Sequence, residues 1–194
     1  MASGGRQPPG GNRSIGGLLD RHWLLTWTTY GTWLPGDQRG FVGDTRDEAG
    51  AKQLHNVPGT PVDSNMPLLK AHARRIMRGS PIYLARDQAQ ALLDQFGETA
   101  RYRGWLLLAV GIMANHIHLV VGVPGDPDPS NLLGDFKSYG SRALSRRWGK
   151  PISNTWWTES GSKRKLRDEQ AVRSALQYVR HQEYPLVIWV AEGY

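Results

Sequence analysis

The order of elements legible in this sequence predicts an α+β fold. It is a ferredoxin-like βαββαβ antiparallel sheet with one helix added at the C-terminal end. Three observations predict it. Two apolar runs, WLLLAVGIM (105–113) and NHIHLVVGV (115–123), follow one another almost without a connector. A segment of helical period precedes this pair and another follows it. β-rich stretches open and close the set, at HWLLTWTTY (22–30) and NTWWTES (154–160).

Taken in order, residues 1–18 are rich in Gly, Pro, Ser and Arg. They hold too little apolar surface to offset the entropy of ordering, so a disordered tail is expected. Residues 19–194 are read as one domain. In the first strand Trp23, Leu25 and Trp27 share one face, and Leu24, Thr26 and Thr28 the other. Pro35-Gly36-Asp37 is turn chemistry and opens an excursion over about 31–80. Within the excursion 41–65 has no clear period, and PLLKAHARRIMRG (67–79) can form a short basic helix. Ala89, Leu92, Leu93 and Phe96 recur at helical spacing and predict a helix near 85–101. Met113-Ala114-Asn115 either connects the next two strands or lies within one bent strand. After the breaker PGDPDPSN, Ser130 or Asn131 can cap a helix over about 131–148. Its buried side carries Leu132, Leu133, Phe136, Tyr139, Ala143 and Leu144. GSKRKLRD is expected as a basic loop. Asp168 then caps a last helix over about 169–183, stopped by Pro185. The VIWV stretch beyond it packs either on its own core or at an interface.

Composition narrows the function. The chain has no cysteine, which excludes disulfides and thiolate metal sites. No apolar run approaches the length of a membrane span, and the N-terminus has no apolar signal region. A cytoplasmic, nucleoid-associated protein is the expectation. The net charge is +7, and residues 137–173, with ten Lys or Arg against three Asp or Glu, carry all of that excess. Such a segment points to a polyanion. Trp148, Trp156 and Trp157 lie among these cations, as stacking on a single strand requires. Lys163, Arg164, Lys165 and Arg167, with Trp156 and Trp157, are the expected nucleic-acid contacts.

His116 and His118 are two residues apart in a strand, so their side chains share a face, roughly 7 Å apart at Cα. Ile117 and Leu119 point the other way, into the core. Two imidazoles so placed are either ordinary half-buried residues or ligands of one divalent cation. In ALQYVRHQEYP, Tyr178 and Gln182 are one helical turn apart. Gln182 can offer a carbonyl oxygen, with the Tyr178 phenol beside it. Among seven tyrosines, Tyr139 is the main rival, but its i+4 neighbour is Ala143, which cannot ligate. Tyr184 adjoins Pro185 past the helix end, and Tyr30 adjoins the WLPGD turn.

These residues resemble the HUH single-strand DNA transposases that use one tyrosine, and within them the REP-associated tyrosine transposases. TYGTWLPGDQRG, MANHIHLVV, NLLGDFKSYGSRAL and LQYVRHQ carry the resemblance, over roughly residues 20–185. HQEYP after the tyrosine departs from the Asn-Pro-Val phrase of many such proteins and is closer to compact insertion-sequence transposases.

The resemblance implies cleavage and rejoining of single-stranded or hairpin DNA. Tyr178 would form a 5′-phosphotyrosine intermediate, and His116, His118 and Gln182 would hold Mg²⁺ or Mn²⁺. It also implies a homodimer, with the site formed in cis or across the two subunits. No phosphate-cradling G-x-x-x-x-G-K-S/T loop is present, in keeping with a transesterification that needs no ATP. A non-catalytic DNA-hairpin-binding protein using the same basic surface is the alternative.

Overall fold

In the computed structural model, the described residues are 21–38, 44–46, 52–54 and 66–193. The expected tail lies outside them. The central sheet has five antiparallel strands. They are β1 (Arg21–Thr28), β4 (Leu106–Ile112), β5 (His116–Val123), β6 (Ser162–Leu166) and β7 (Val187–Val190). Their spatial order is β6-β1-β5-β4-β7. The first four in this order reproduce the predicted ferredoxin-like topology, with α2 (Arg86–Arg103) and α3 (Pro129–Trp148) as crossovers. The excursion contributes a small antiparallel pair, β2 (Asp44–Arg46) with β3 (Lys52–Leu54), and α1 (Pro67–Arg75). The last helix, α4, spans Glu169–Arg180.

Strand alternation sorts the core into two layers. Trp23, Leu25, Trp27, Ile117, Leu119 and Val121 face α2 and α3, where they meet Leu92, Phe96, Leu132 and Phe136. Phe96 sits edge-on to both Trp27 and Phe136. Leu24, Leu108, Ala109 and Val120 face the other way and meet Ala175, Leu176 and Val179 of α4. The second face is therefore partly covered by α4. Gly111 permits the close seat: a Cβ there would lie 3.2 Å from Val179 Cγ1 and 3.3 Å from Ile188 Cδ1. The connector Met113–Asn115 is a tight turn rather than a bend within one strand.

Two expectations are corrected, and one open alternative is decided. First, the closing strand is β6, within the basic stretch read as a loop, and not NTWWTES. Residues 154–160 contribute one isolated bridge, Thr29 with Trp157. Charged residues are tolerated in β6 because it is an edge strand, with one side open to water. Gly161 makes the shift possible, since a Cβ there would come 2.8 Å from the Thr26 carbonyl. The carbonyls of Thr158, Glu159 and Ser160 are instead taken by Lys137 Nζ, at 2.6, 2.8 and 3.2 Å. Burial pushes the Lys137 pKa down to about 8.

Second, of the two places open to VIWV, the chain's own core takes it: it is a fifth strand, β7, paired with β4 on the sheet edge, with Val187 and Trp189 packed on the core. Third, α3 starts earlier than expected. Asp128, not Ser130 or Asn131, is its cap and accepts from the Ser130 N–H, with Pro129 in the first turn. The buried face of α3 includes Gly140, over which Leu92 and Phe96 pack, whereas Tyr139 and Ala143 are only half-buried.

Candidate active site

His116 and His118 lie on the α4 face of β5, as alternation predicts. Their rings meet edge-on with centroids 4.9 Å apart. Each imidazole is oriented through Nδ1. In His116 this nitrogen donates to Asn115 Oδ1 at 2.7 Å, so in the neutral ring Nε2 carries the lone pair. In His118, Nδ1 is 2.7 Å from Thr26 Oγ1, its direct cross-strand neighbour. His118 is 5% exposed. Burial first, and the neighbouring His116 second, push its pKa down to about 4. His118 is therefore neutral at pH 7, the form in which an imidazole ligates a metal. When Nδ1–H donates to Thr26, Nε2 is left as the accepting atom.

Asp168 caps α4 as expected, accepting from the Ala171 N–H at 2.7 Å. The helix then delivers Tyr178, which is 50% exposed, to the histidines. Its hydroxyl is 3.3 Å from His118 Nε2, and the two ring centroids are 4.9 Å apart. One chain thus supplies the tyrosine and both imidazoles.

Gln182 departs from its expected place, because α4 ends at Arg180 and His181 is the C-cap. Gln182 nevertheless returns to the site, as its Nε2 donates to the Tyr178 carbonyl at 2.9 Å. That bond engages the nitrogen and leaves Oε1 as the atom a cation could use. His116, Tyr178, Gln182, His181, Glu183 and Tyr184 line one cleft of about 520 Å³. Two imidazole nitrogens and an amide oxygen are a chemically suitable set for Mn²⁺. Among the described residues no group of three His, Cys, Asp or Glu comes together, so the amide is needed to make a third ligand.

The expected DNA contacts divide. Trp156 and Trp157 are 6% and 4% exposed, which corrects their assignment as stacking platforms. Trp156 Nε1 donates to Ser145 Oγ, and Trp157 Nε1 donates to the Lys137 carbonyl. Trp157 also packs edge-on against Trp27. Both serve the core because the chain at 154–160 lies under α3. Lys163 and Lys165 are exposed but stand on the α3 side of the sheet, at Ser130 Oγ (3.1 Å) and Asp126 Oδ1 (3.3 Å). Arg164 stands on the opposite side, and Arg167 is exposed between β6 and α4.

Sequence reasoning missed Thr26 and Asn115 as orienting partners. The available signal was Thr26 on the same face of β1 as Leu24. That signal lacked the β1–β5 register, which alone shows that Thr26 faces His118. Tyr139 carries Arg142 over its ring at 5.1 Å and is not among the residues lining the clefts beside the histidines.

None of the curated proteins matches the chain significantly. Among the solved structures that are similar are two transposases. One is described as a REP-associated tyrosine transposase bound to a REP hairpin. It is 14% identical, at a TM-score of 0.44, with 92% of this chain and 70% of that chain covered. The other is described as a putative transposase from Deinococcus radiodurans R1. It is 15% identical, at a TM-score of 0.47, with 87% of this chain and 95% of that chain covered. No helix among the described residues is long and apolar enough to cross a membrane. The family model described as "Transposase IS200 like" matches residues 69–182, more than half of the chain. That span runs from α1 through both histidines to Tyr178 and Gln182, and the chain belongs to the IS200-like transposase family.

Proposed function

We propose that this protein cleaves and rejoins single-stranded DNA, including strands that end in hairpins, by transesterification through Tyr178. The observation that carries this reading is the Tyr178 hydroxyl 3.3 Å from His118 Nε2, in contact with a cleft that also holds His116 and Gln182. Binding alone requires none of these four residues. Tyr178 Oη attacks a phosphodiester phosphorus, and the bond from phosphorus to the 3′ oxygen breaks. The products are a 5′-phosphotyrosine and a free 3′-OH, which takes up a proton equivalent to the one the tyrosine loses. Attack by a 3′-OH on the same phosphorus reverses the step and joins strands.

His116 Nε2, His118 Nε2 and Gln182 Oε1 would hold a divalent cation, Mn²⁺ or Mg²⁺. When bound, the cation would polarise the attacked phosphate and favour departure of the 3′ oxygen. His118 Nε2 has two exclusive uses, accepting from the Tyr178 hydroxyl or ligating the cation. Thr26 and Asn115 fix the tilt of the two rings in either state. Phosphate contacts come from the basic stretch 137–173, so affinity should fall steeply with salt.

The test is covalent capture of a labelled hairpin oligonucleotide on denaturing gels, with and without Mn²⁺. Wild type should form an adduct that requires Mn²⁺. Tyr178→Phe should form none while still binding the oligonucleotide. An adduct that persists in Tyr178→Phe would remove the tyrosine from its role. Tight binding by wild type with no nick at any Mn²⁺ concentration would leave a hairpin-binding protein instead.

A further inference from the structure

The run Ser162-Lys163-Arg164-Lys165-Leu166 reads as one basic patch, but as an edge strand it is split between two faces. Lys163 and Lys165 pair in register with Leu25 and Trp23, which face α2 and α3. Arg164 pairs with Leu24, which faces α4. The Arg164 side chain therefore enters a second cleft, of about 460 Å³, between β6 and α4. That cleft is lined by Thr26, His118, Ser162, Arg164, Ser174 and Tyr178, among others. Among the described residues no carboxylate lines it and none pairs with Arg164. The nearby acid Asp126 is drawn to Arg21 and Lys165 on the other side of the strand.

One guanidinium with the hydroxyls of Thr26, Ser162 and Ser174, and no anion to neutralise it, suits a phosphodiester. Tyr178 lines both clefts, with His116 and Gln182 in the first and His118 and Arg164 in the second. Tyr178, the proposed nucleophile, thus stands at the junction of two open troughs, with the proposed cation ligands His116 and Gln182 in the first and His118 on the wall of the second.

We infer that Arg164 contacts the reacting DNA directly. It holds the phosphate that flanks the one Tyr178 attacks, so that the strand runs from the β6–α4 cleft past Tyr178 into the His116–Gln182 cleft. This rests on the transesterase reading above. Its role is positional: the strand has to be fixed on both sides of the phosphorus for an in-line approach, and small misplacement is costly in rate.

The experiment measures the rate of adduct formation at saturating hairpin oligonucleotide with Mn²⁺, using the full chain. Arg164→Ala should slow this rate about 100-fold, with an unchanged melting curve, because the side chain lies exposed on an edge strand. Arg164→Lys should recover part of the rate, since it restores charge without the bidentate fork. Neutral methylphosphonates placed singly on either side of the cleavage point then locate the contact. At one flanking position the substitution should slow wild type by a similar factor and leave Arg164→Ala almost unaffected, the mark of a shared interaction. Equal saturated rates for wild type and Arg164→Ala would overturn the inference, as would penalties that add independently at both flanking positions. If wild type forms no adduct, the transesterase reading fails and takes this role of Arg164 with it. A wild-type adduct that Arg164→Ala matches in rate removes Arg164 alone.

Discussion

Replacing Thr26 by valine tests whether the site depends on the orientation of His118. Valine keeps the branched shape and strand preference of threonine, so packing on β1 changes little. The change removes Oγ1, which lies 2.7 Å from His118 Nδ1. His118 is almost wholly buried, so that nitrogen gains no full replacement from water. An unsatisfied buried donor costs about 1–3 kcal/mol. For a chain of this size that corresponds to a fall in Tm of roughly 3–10 °C.

The functional effect should exceed the structural one. Without Thr26 the ring can turn, and the tautomer that presents Nε2 loses its anchor. Partners of this kind are worth about 10–100-fold in metal affinity. Mn²⁺ titration by calorimetry should therefore show weaker binding in Thr26→Val by that factor. Adduct formation should fall at limiting Mn²⁺ and recover largely at high Mn²⁺. Thr26→Ser retains the hydroxyl and should stay close to wild type. Unchanged Mn²⁺ affinity in a folded Thr26→Val would refute the role given to the Thr26–His118 contact.

Two further outcomes follow from burial. Trp157→Phe removes the Nε1 bond to the Lys137 carbonyl and part of the contact with Trp27, so its Tm should fall, by about 1–3 kcal/mol of stability. Its affinity for DNA, read by fluorescence anisotropy, should stay within about twofold. A stacking platform is worth about 1–3 kcal/mol of binding on truncation to alanine, and were Trp157 one, the smaller phenyl ring would forfeit part of that. The second outcome concerns acid. Burial and His116 depress the His118 pKa from 6.5 to about 4, so below pH 6.5 the unfolded chain binds a proton that the folded chain does not. Stability from this group is intact above 6.5 and declines as pH falls toward 4, by at most about 3 kcal/mol. Metal-free wild type should therefore lose Tm over this range more steeply than His118→Gln, and parallel curves would contradict the burial argument.

Much of the fold was legible because local period is a local property. The helices α2 and α4, the strands β1, β4 and β5, and the shared face of His116 and His118 all follow from residue spacing within one segment. Asp168 was legible as a cap for the same reason. The pairing of His116 and His118 with Tyr178 needed the resemblance as well, since no spacing within either segment relates one to the other.

What tertiary structure decided has a common cause. Whether a segment is a strand at a sheet edge depends on the neighbour that accepts its hydrogen bonds, not on its own hydropathy. Hence the charged run 162–166 is a strand and the aromatic run before it is not. Hence also VIWV extends the sheet beside β4. Trp156 and Trp157 sit among cations in sequence yet under α3 in space, because the chain at 154–160 passes beneath that helix. Gln182 lies past the end of α4, and only its bond to the Tyr178 carbonyl returns it to the cleft. Sequence by itself determined which side chains share a face, since backbone geometry fixes the period. The β1–β5 and β1–β6 registers determined what those faces meet: Thr26 against His118, and Arg164 in the cleft beside Tyr178.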